Sequence, residues 1–271
     1  AAGFGMRMVP INTETPKGLL EIKGERLIER TIRQLHEVGI TEIYVVVGFM
    51  KEQYEYLIDK YDVTLVYNRD YMTKNNLHSL KKVIDKIGNT YILPCDLWCF
   101  QNPFSNKEWY SWYMLSDKET EESNVRINRK KEIVETKRNE MGNQMLGISY
   151  VLKEDAAFLR QKLLHLSNER EYIHAFWEEA VMKDGKMILK SREVSQNLVY
   201  EINTLEELRE LDEESNQLNS EIISLISEVL LCEAKEIIEI KALKKGMTNR
   251  SFEFTCRGEH YIMRVPGEGT D

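Results

Sequence analysis

The chain has 271 residues, 42% of them hydrophobic and 30% charged, with a formal net charge of −8. This balance fits a soluble globular protein and provides no basic stripe for nucleic acid, so any phosphate affinity rests on local cations. No apolar run approaches the ~18 residues needed to span a bilayer, no signal peptide is visible, and the cysteines Cys95, Cys99, Cys232 and Cys256 form no CxxC pair and have no His at metal-ligand spacing, as expected of reduced thiols in a cytoplasmic protein.

The first segment is a glycine-rich loop, Gly3-Phe4-Gly5, followed at once by Arg7 and, ten residues later, by Lys17 within Thr15-Pro16-Lys17-Gly18. Glycines let backbone amides approach an anion closely, and two cations can reach the same phosphates. A Rossmann fingerprint needs a third glycine where Met8 stands, and a Walker loop is absent. An ordinary glycine turn does not explain the added Arg7 and Pro16-Lys17, so the loop is read as a nucleoside triphosphate site.

An amphipathic helix is predicted over residues 26–38, ended by Gly39. Residues 43–47 form a β-branched run, as in a strand covered on both faces, with Gly48 at its end. A helix over 51–60, a strand over 64–67 ending at Asn68, a helix over 75–87 capped by asparagine, and a buried strand over 91–96 ending at Asp96 follow. This alternation predicts βαβ units and a mainly parallel sheet, whose ligands bind beyond the carboxyl ends of the strands. The loop at Gly3, Gly48, Asn68 and Asp96 would all sit there. Strands over 109–115 and 145–152 and a polar hairpin over 124–136 would be antiparallel additions around the pocket. Helices are predicted over 155–166 and 171–183, a strand over 198–203, and a helix over 205–214 capped by Thr204. A boundary near Ser215-Asn216 precedes an apolar helix over 222–231.

Chemistry is expected at four places. The loop with Arg7 and Lys17 holds phosphates. Asp96 and Glu201 suit Mg²⁺, which takes one or two carboxylates plus waters and substrate phosphates, and Asn203 alternates onto the face of Glu201. Asn75 and Asn76 open a helix next to His78, either as caps or as ligand contacts. Trp98, Trp109, Trp112, Tyr113, Tyr172 and Trp177 supply aromatic faces, for a core or for a quaternary ammonium ligand, and Glu178 and Glu179 lie beside Trp177 on a helix surface or as added charge.

The pieces AAGFGMRM, TPKGLLEI, VVVGFMKEQ, LVYN, NNLHSL, Asp96, FWEEAV and VYEIN together resemble the bacterial CTP:phosphocholine cytidylyltransferases over most of residues 1–214. The opening run matches the signature of nucleotidyltransferases that make nucleotide-activated sugars and alcohols. GMTNRSFEF and YIMRVPGEGT further resemble the start of bacterial choline kinases, with Arg264 as the phosphate-contacting residue. The resemblance implies a Rossmann-like α/β nucleotidyltransferase with a mainly parallel mixed sheet at 1–214, then a truncated kinase-like lobe at 215–271. It implies a short apolar strand upstream of Ala1, so a fragment cut inside its first motif is expected, with the remainder of a choline kinase domain beyond residue 271.

The implied reaction is in-line attack of phosphocholine on the α-phosphate of CTP. The resemblance places Arg7 on the β,γ-phosphates and Lys17 on the α-phosphate or the attacking phosphate. Ala2, Gly3, Gly5, Gly48 and Asn75 would bind nucleotide, and Asn76 and Trp177 the acceptor. Asp96, Glu201 and Asn203 would hold Mg²⁺, although family members commonly carry aspartate where Asn203 stands. A sugar-1-phosphate nucleotidyltransferase and a non-catalytic domain binding nucleotide or choline are the competing readings.

Overall fold

The computed structural model describes residues 1–137, 140–182, 187–215, 220–243 and 249–266. In chain order the elements are β1 (Glu21–Ile22), β2 (Glu25–Arg26), α1 (Leu27–Glu37), β3 (Tyr44–Val47), α2 (Tyr56–Tyr61), β4 (Thr64–Tyr67), α3 (Asn76–Lys81), β5 (Thr90–Ile92), β6 (Leu97–Cys99), β7 (Trp112–Thr120) and β8 (Val125–Ile127). They continue with β9 (Ile133–Glu135), β10 (Gly142–Val151), α4 (Lys153–Asn168), α5 (Glu179–Met182), β11 (Lys190–Val194), β12 (Val199–Glu201), α6 (Leu205–Leu211), α7 (Glu221–Leu230), β13 (Ile237–Ala242), β14 (Asn249–Cys256) and β15 (Glu259–Pro266). The chain divides into two compact units. The first is Ala1–Gly3 with Arg30–Glu201; the second is Phe4–Glu29 with Ile202–Asp271.

The first unit is built on a four-stranded sheet in the order β11-β7-β10-β5. Strand β7 reads Trp-Tyr-Met-Leu at its start, and all four side chains are buried. Period-two alternation sends them to opposite faces. Tyr113 and Leu115 join a core with Leu77 of α3, Leu159 and Leu163 of α4 and Ala180 of α5. Trp112 and Met114 join a second core with Leu35 of α1, Leu146 and Ile148 of β10 and Val199 of β12. A strand buried on both faces carries a continuous apolar run, and this one does. Each such side chain contributes about 1.5–3 kcal/mol by its removal from water.

Strand pairing is mixed across this sheet and the separate pairs β3-β4 and β12-β6, and its antiparallel share is larger than the strand–helix alternation predicts. Parallel pairing joins β3 to β4 and β7 to β11. Strand β10 is antiparallel to both β5 and β7, and β12 is antiparallel to β6. The reason lies in the connections. A helical crossover, α2, separates β3 from β4, whereas the β8–β9 hairpin lies between β7 and β10, and a hairpin-type return reverses direction. Strand β11 carries Lys190, Arg192 and Glu193, mostly half-exposed, and so lacks the alternation that would reveal it.

Several boundaries move for local reasons. The strand expected over 91–96 stops at Ile92, ahead of Pro94, which has no N–H for a ladder, so Asp96 lies between strands. Residues 51–60 split into a 3₁₀ turn at Lys51–Tyr54 and then α2, and the helix expected over 75–87 ends at Lys81, with a 3₁₀ turn at Ile84–Lys86. The strand expected at 109–115 begins at Trp112, and Trp109 is exposed. The helix expected over 171–183 is a 3₁₀ turn at Arg170–Tyr172 and, later, the short α5; Lys183 lies outside the described residues. The segment between them is held by other partners: the Asn75 amide N–H donates to Ile173 O and the Asn75 side chain to His174 O, while the Trp177 N–H donates to Asn76 Oδ1.

In the second unit, β1 and β2 form a two-stranded hairpin and β13-β14-β15 an antiparallel meander. Strands β14 and β15 are joined by the two-residue turn Arg257-Gly258, in register at Cys256 and Glu259. Strand β13 was not expected. Arg264 lies on β15 opposite Ser251, while Gly246-Met247-Thr248 and the GEGT run lie outside the described residues. Helix α6 begins with a capping box. Thr204 Oγ1 accepts from the Glu207 N–H, and the Glu207 carboxylate accepts from the Thr204 N–H. The strand expected to reach residue 203 ends at Glu201, because this box claims the next residues. Asn203 therefore precedes the helix and does not alternate with Glu201 along a strand.

Candidate active site

In the second unit the glycine loop is fixed from below. Val9 and Ile11 are buried, as are Leu19 and Leu20 after Lys17. Gly5 has φ +66°, the left-handed region open to glycine at little cost, and its carbonyl accepts from the Met8 N–H at 2.8 Å to close a 3₁₀ turn that carries Arg7. Asn12, fully buried, donates its side-chain amide to Gly5 O at 3.2 Å. A further 3₁₀ turn, Lys17–Leu19, follows Pro16 and presents Lys17.

The two cations meet. Arg7 Nη2 donates to Asn203 Oδ1 at 2.9 Å, and Lys17 Nζ donates to the same oxygen at 2.6 Å. Asn203 is itself held, because its backbone N–H donates to the Glu207 carboxylate at 2.5 Å. Residues separated by almost two hundred positions thus place two positive charges around one point. Such a pair can neutralise the charge of an anionic group such as a phosphate.

In the first unit Ala2 is buried, and its carbonyl accepts from the Phe49 N–H at 3.1 Å. Next to it Gly48 has no room for a side chain. A Cβ there would lie 2.7 Å from the Tyr71 side chain and 2.8 Å from Ala2 O. This close backbone approach explains the glycine at the end of β3. Gly3 is exposed.

Asn75 caps α3, with its Oδ1 accepting from the Asn76 N–H at 2.8 Å. Both asparagines also bind the backbone of residues 173–177, as described above. Trp177 is buried in the core, its ring 6.1 Å from that of Tyr113. His78 is buried, within 3.3 Å of Tyr172 O, and burial lowers its pKa. Asn68 is fully buried and donates to Ser79 Oγ at 3.0 Å.

Under Trp177 lies a group that helical spacing alone does not identify. The Tyr113 hydroxyl donates to Glu178 Oε1 at 3.0 Å, while Glu178 Oε2 is shut off from solvent with no hydrogen-bond partner. Burial pushes the Glu178 carboxyl up to about 7, and burial together with the Glu178 charge holds the Tyr113 phenol well above its ordinary value. Tyr113 was visible only as one aromatic among six. Thr204 is legible as the cap of the following helix, and the full Thr204-x-x-Glu207 capping box is the signal that would have ended the strand before Asn203.

Asp96 and Glu201 are brought together by register. Glu201 pairs with Leu97 across the β6–β12 ladder, and Asp96 is the residue before Leu97. Both are half-buried. Among the described residues no group of three or more His, Cys, Asp or Glu side chains could hold a metal. A pair of carboxylates fits Mg²⁺, which fills its other positions with water and phosphate. Among the described residues no helix is long and apolar enough to cross a membrane, and all four thiols are free.

The model of the MobA-like NTP transferase domain family matches residues 1–132. The choline-phosphate cytidylyltransferase of Streptococcus pneumoniae is 30% identical over 227 residues, which cover 79% of this chain and 95% of that protein. The 2-aminoethylphosphonate cytidylyltransferase of Lancefieldella rimae is 31% identical over 222 residues, covering 78% of this chain and 89% of that protein. The solved structure of the CTP:phosphocholine cytidylyltransferase from Streptococcus pneumoniae superposes with a TM-score of 0.70 and 28% identity, covering 79% of this chain and 95% of its own. This chain is a nucleotidyltransferase, and it belongs to the family that contains these cytidylyltransferases.

Proposed function

We propose that this chain transfers a cytidylyl group from CTP to phosphocholine, giving CDP-choline and pyrophosphate. The observation that carries the reading is the meeting of Arg7 and Lys17 on Asn203 Oδ1 beside the Gly5 turn. An in-line displacement at phosphorus asks the protein for positioning and charge neutralisation and needs no covalent intermediate. Arg7 neutralises the β,γ-phosphates. Lys17 serves the α-phosphate or the attacking phosphate. The backbone of Ala2, Gly3, Gly5 and Gly48, with Asn75, frames the nucleotide, and Asn76 and Trp177 serve the acceptor. Asp96 and Glu201, with Asn203 as a further oxygen donor, would hold Mg²⁺, whose charge supplies Lewis-acid polarisation of the phosphates when bound.

The acceptor reading rests on Glu178. Both named relatives have acceptors in which two carbons separate a phosphate or phosphonate from an ammonium group, and a carboxylate beside aromatic rings suits that cation. A primary ammonium asks for up to three hydrogen-bond acceptors, whereas a quaternary one asks only for nearby negative charge and π-faces. Tyr113, Trp177 and Glu178 bring two aromatic rings and a carboxylate together, which is the chemistry the second kind of site asks for. The similarity to the 2-aminoethylphosphonate enzyme makes that acceptor the alternative to test.

Residues 215–271 are read as the start of a choline kinase lobe in a cytoplasmic bifunctional protein. The β13-β14-β15 meander supports this, and so does the chemical fit between making phosphocholine and using it.

The test is to supply Mg²⁺, each nucleoside triphosphate, and phosphocholine, 2-aminoethylphosphonate or glucose-1-phosphate, and to measure pyrophosphate. CTP with phosphocholine should give the fastest release. Release with the sugar phosphate alone would overturn the reading, and binding of CTP without release from any pair would indicate a non-catalytic binding domain.

A further inference from the structure

The segment between the 3₁₀ turn at Arg170–Tyr172 and α5 delivers Trp177 and Glu178, and residues at the start of α3 hold it in place. A His78 ring nitrogen lies 3.3 Å from Tyr172 O. The Asn75 backbone N–H donates to Ile173 O at 3.1 Å, and Asn75 Nδ2 donates to His174 O at 3.0 Å. The last bond runs the other way. There the segment donates, from the Trp177 N–H, and Asn76 Oδ1 accepts at 2.7 Å.

That bond has a physical reason. Trp177 O accepts from the Ala180 N–H at 3.0 Å and so opens the turn that leads into α5. An N–H at the start of such a turn has no partner within it, and one left unpaired in a buried residue is costly. Trp177 is buried, and the Asn76 side chain supplies the missing acceptor. What is fixed at this backbone passes to two neighbouring side chains. The Trp177 ring stands 6.1 Å from that of Tyr113, and Glu178 Oε1 accepts from the Tyr113 hydroxyl at 3.0 Å.

We propose that Asn76 is a positioning residue for the acceptor: through Oδ1 it fixes the Trp177 N–H, and so sets the Trp177 ring and the Glu178 carboxylate, without touching phosphocholine itself. The inference rests on the acceptor reading proposed above and deepens it, because it assigns the work of Asn76 to one atom. An asparagine that touched the acceptor phosphate would do so with Nδ2, its only side-chain donor. A carboxylate in its place keeps an oxygen for the Trp177 N–H, but it removes that donor and adds a charge that repels phosphate. Positioning and direct contact therefore give opposite results for the single substitution Asn76→Asp. The effect belongs to the acceptor and not to CTP, because Trp177 and Glu178 serve the ammonium end.

The experiment is steady-state pyrophosphate release by the full chain with Mg²⁺, varying phosphocholine at saturating CTP and then CTP at saturating phosphocholine, for the wild type, Asn76→Ala and Asn76→Asp. Asn76→Ala should raise the KM for phosphocholine about tenfold, the effect of one buried N–H left without its acceptor. Its kcat and its KM for CTP should move by less than about threefold, since the loss falls on acceptor binding. Asn76→Asp should recover the KM for phosphocholine to within about threefold of the wild type, because the carboxylate accepts the same N–H. Thermal melting of each variant checks folding, and Asn76→Asp decides the matter if Asn76→Ala does not fold. Asn76→Asp as impaired as Asn76→Ala, or more so, overturns the inference in favour of direct contact with the acceptor phosphate. A lower melting point of Asn76→Ala with its KM for phosphocholine unchanged overturns it in favour of a purely structural role. Both of these outcomes leave the proposed activity standing. Wild type that releases no pyrophosphate from CTP and phosphocholine overturns the inference and the reading beneath it together.

Discussion

Lys17 and Glu178 bear opposite relations to their surroundings, and each gives a test. Lys17 donates to Asn203 Oδ1 from a half-buried turn, so its removal strips charge from the proposed phosphate site without opening a core. Lys17→Ala should lower kcat/KM for pyrophosphate release by about 10²–10³-fold, the usual cost of one electrostatic donor. Its unfolding free energy should shift by less than about 1 kcal/mol. Near-normal turnover would remove Lys17 from the reaction. Glu178 is costly to fold around. Burial raises its carboxyl from 4.5 to about 7, so between those values the native state keeps a proton that the unfolded chain has released. Stability therefore falls as pH rises through this window. Glu178→Gln carries no charge at any pH, and relative to the wild type it should gain up to about 3 kcal/mol above pH 7 and little below pH 4.5. Melting curves of both proteins from about pH 5 to pH 8 should diverge with rising pH, and parallel curves would refute the shift. On the proposed acceptor reading, the KM for phosphocholine should fall as Glu178 ionises, because the carboxylate attracts an ammonium group only when it is charged.

At the scale of elements, legibility followed the source of the order. Helix α6 and the asparagine cap of α3 could be read because their signals are local: a side-chain oxygen accepts an N–H within three residues. Strand β3 could be read from its β-branched run, although only Val45 and Val47 are buried, and β4 could be read as a short strand although Thr64 and Tyr67 are exposed. The segment 173–177 could not, because its backbone is partnered by Asn75 and Asn76 from about a hundred positions away, and periodicity sees no such bond. The place of Asn203 was missed for a local reason. Strand alternation was extended through it, while the Thr204–Glu207 box that begins at the next residue ended the strand at Glu201. That box is the testable link between α6 and the turns that carry Arg7 and Lys17. Thr204→Ala should cost about 1 kcal/mol, read as a lower urea midpoint. It should also weaken CTP binding severalfold, because the residue that seats Asn203 loosens. A stability loss with CTP affinity unchanged would show that the loop is positioned by other contacts.

At the scale of the molecule, the units are not contiguous stretches of chain, and no hydrophobic pattern announces that. The second unit collects the loop segment 4–29 with everything from residue 202 onward. Its cohesion depends on bonds such as Ser215 Oγ to Glu21 O, Lys23 N–H to the Asp212 carboxylate, and above all Arg209. Arg209 donates to Ile237 O and to Ala234 O, both at 2.7 Å, and so fastens α6 to the start of β13. The guanidinium is half-buried, and that burial lowers its pKa, so it is held there by these carbonyls at the expense of its hydration. Arg209→Ala would leave two carbonyls without their donor and cost about 2–4 kcal/mol, as expected for two charge-assisted hydrogen bonds lost together. Because α6 also carries the capping box behind Asn203, the loss should spread to the phosphate loop. Amide hydrogen exchange should therefore rise together in β13, in α6 and in residues 5–20 of the variant. Saturating CTP should slow it again in all three, since a ligand that binds only the ordered loop stabilises whatever unfolds with it. Faster exchange confined to β13, with residues 5–20 as protected as in the wild type, would mean that the loop and the C-terminal strands do not share one cooperative unit, and that Arg209 serves the strands alone.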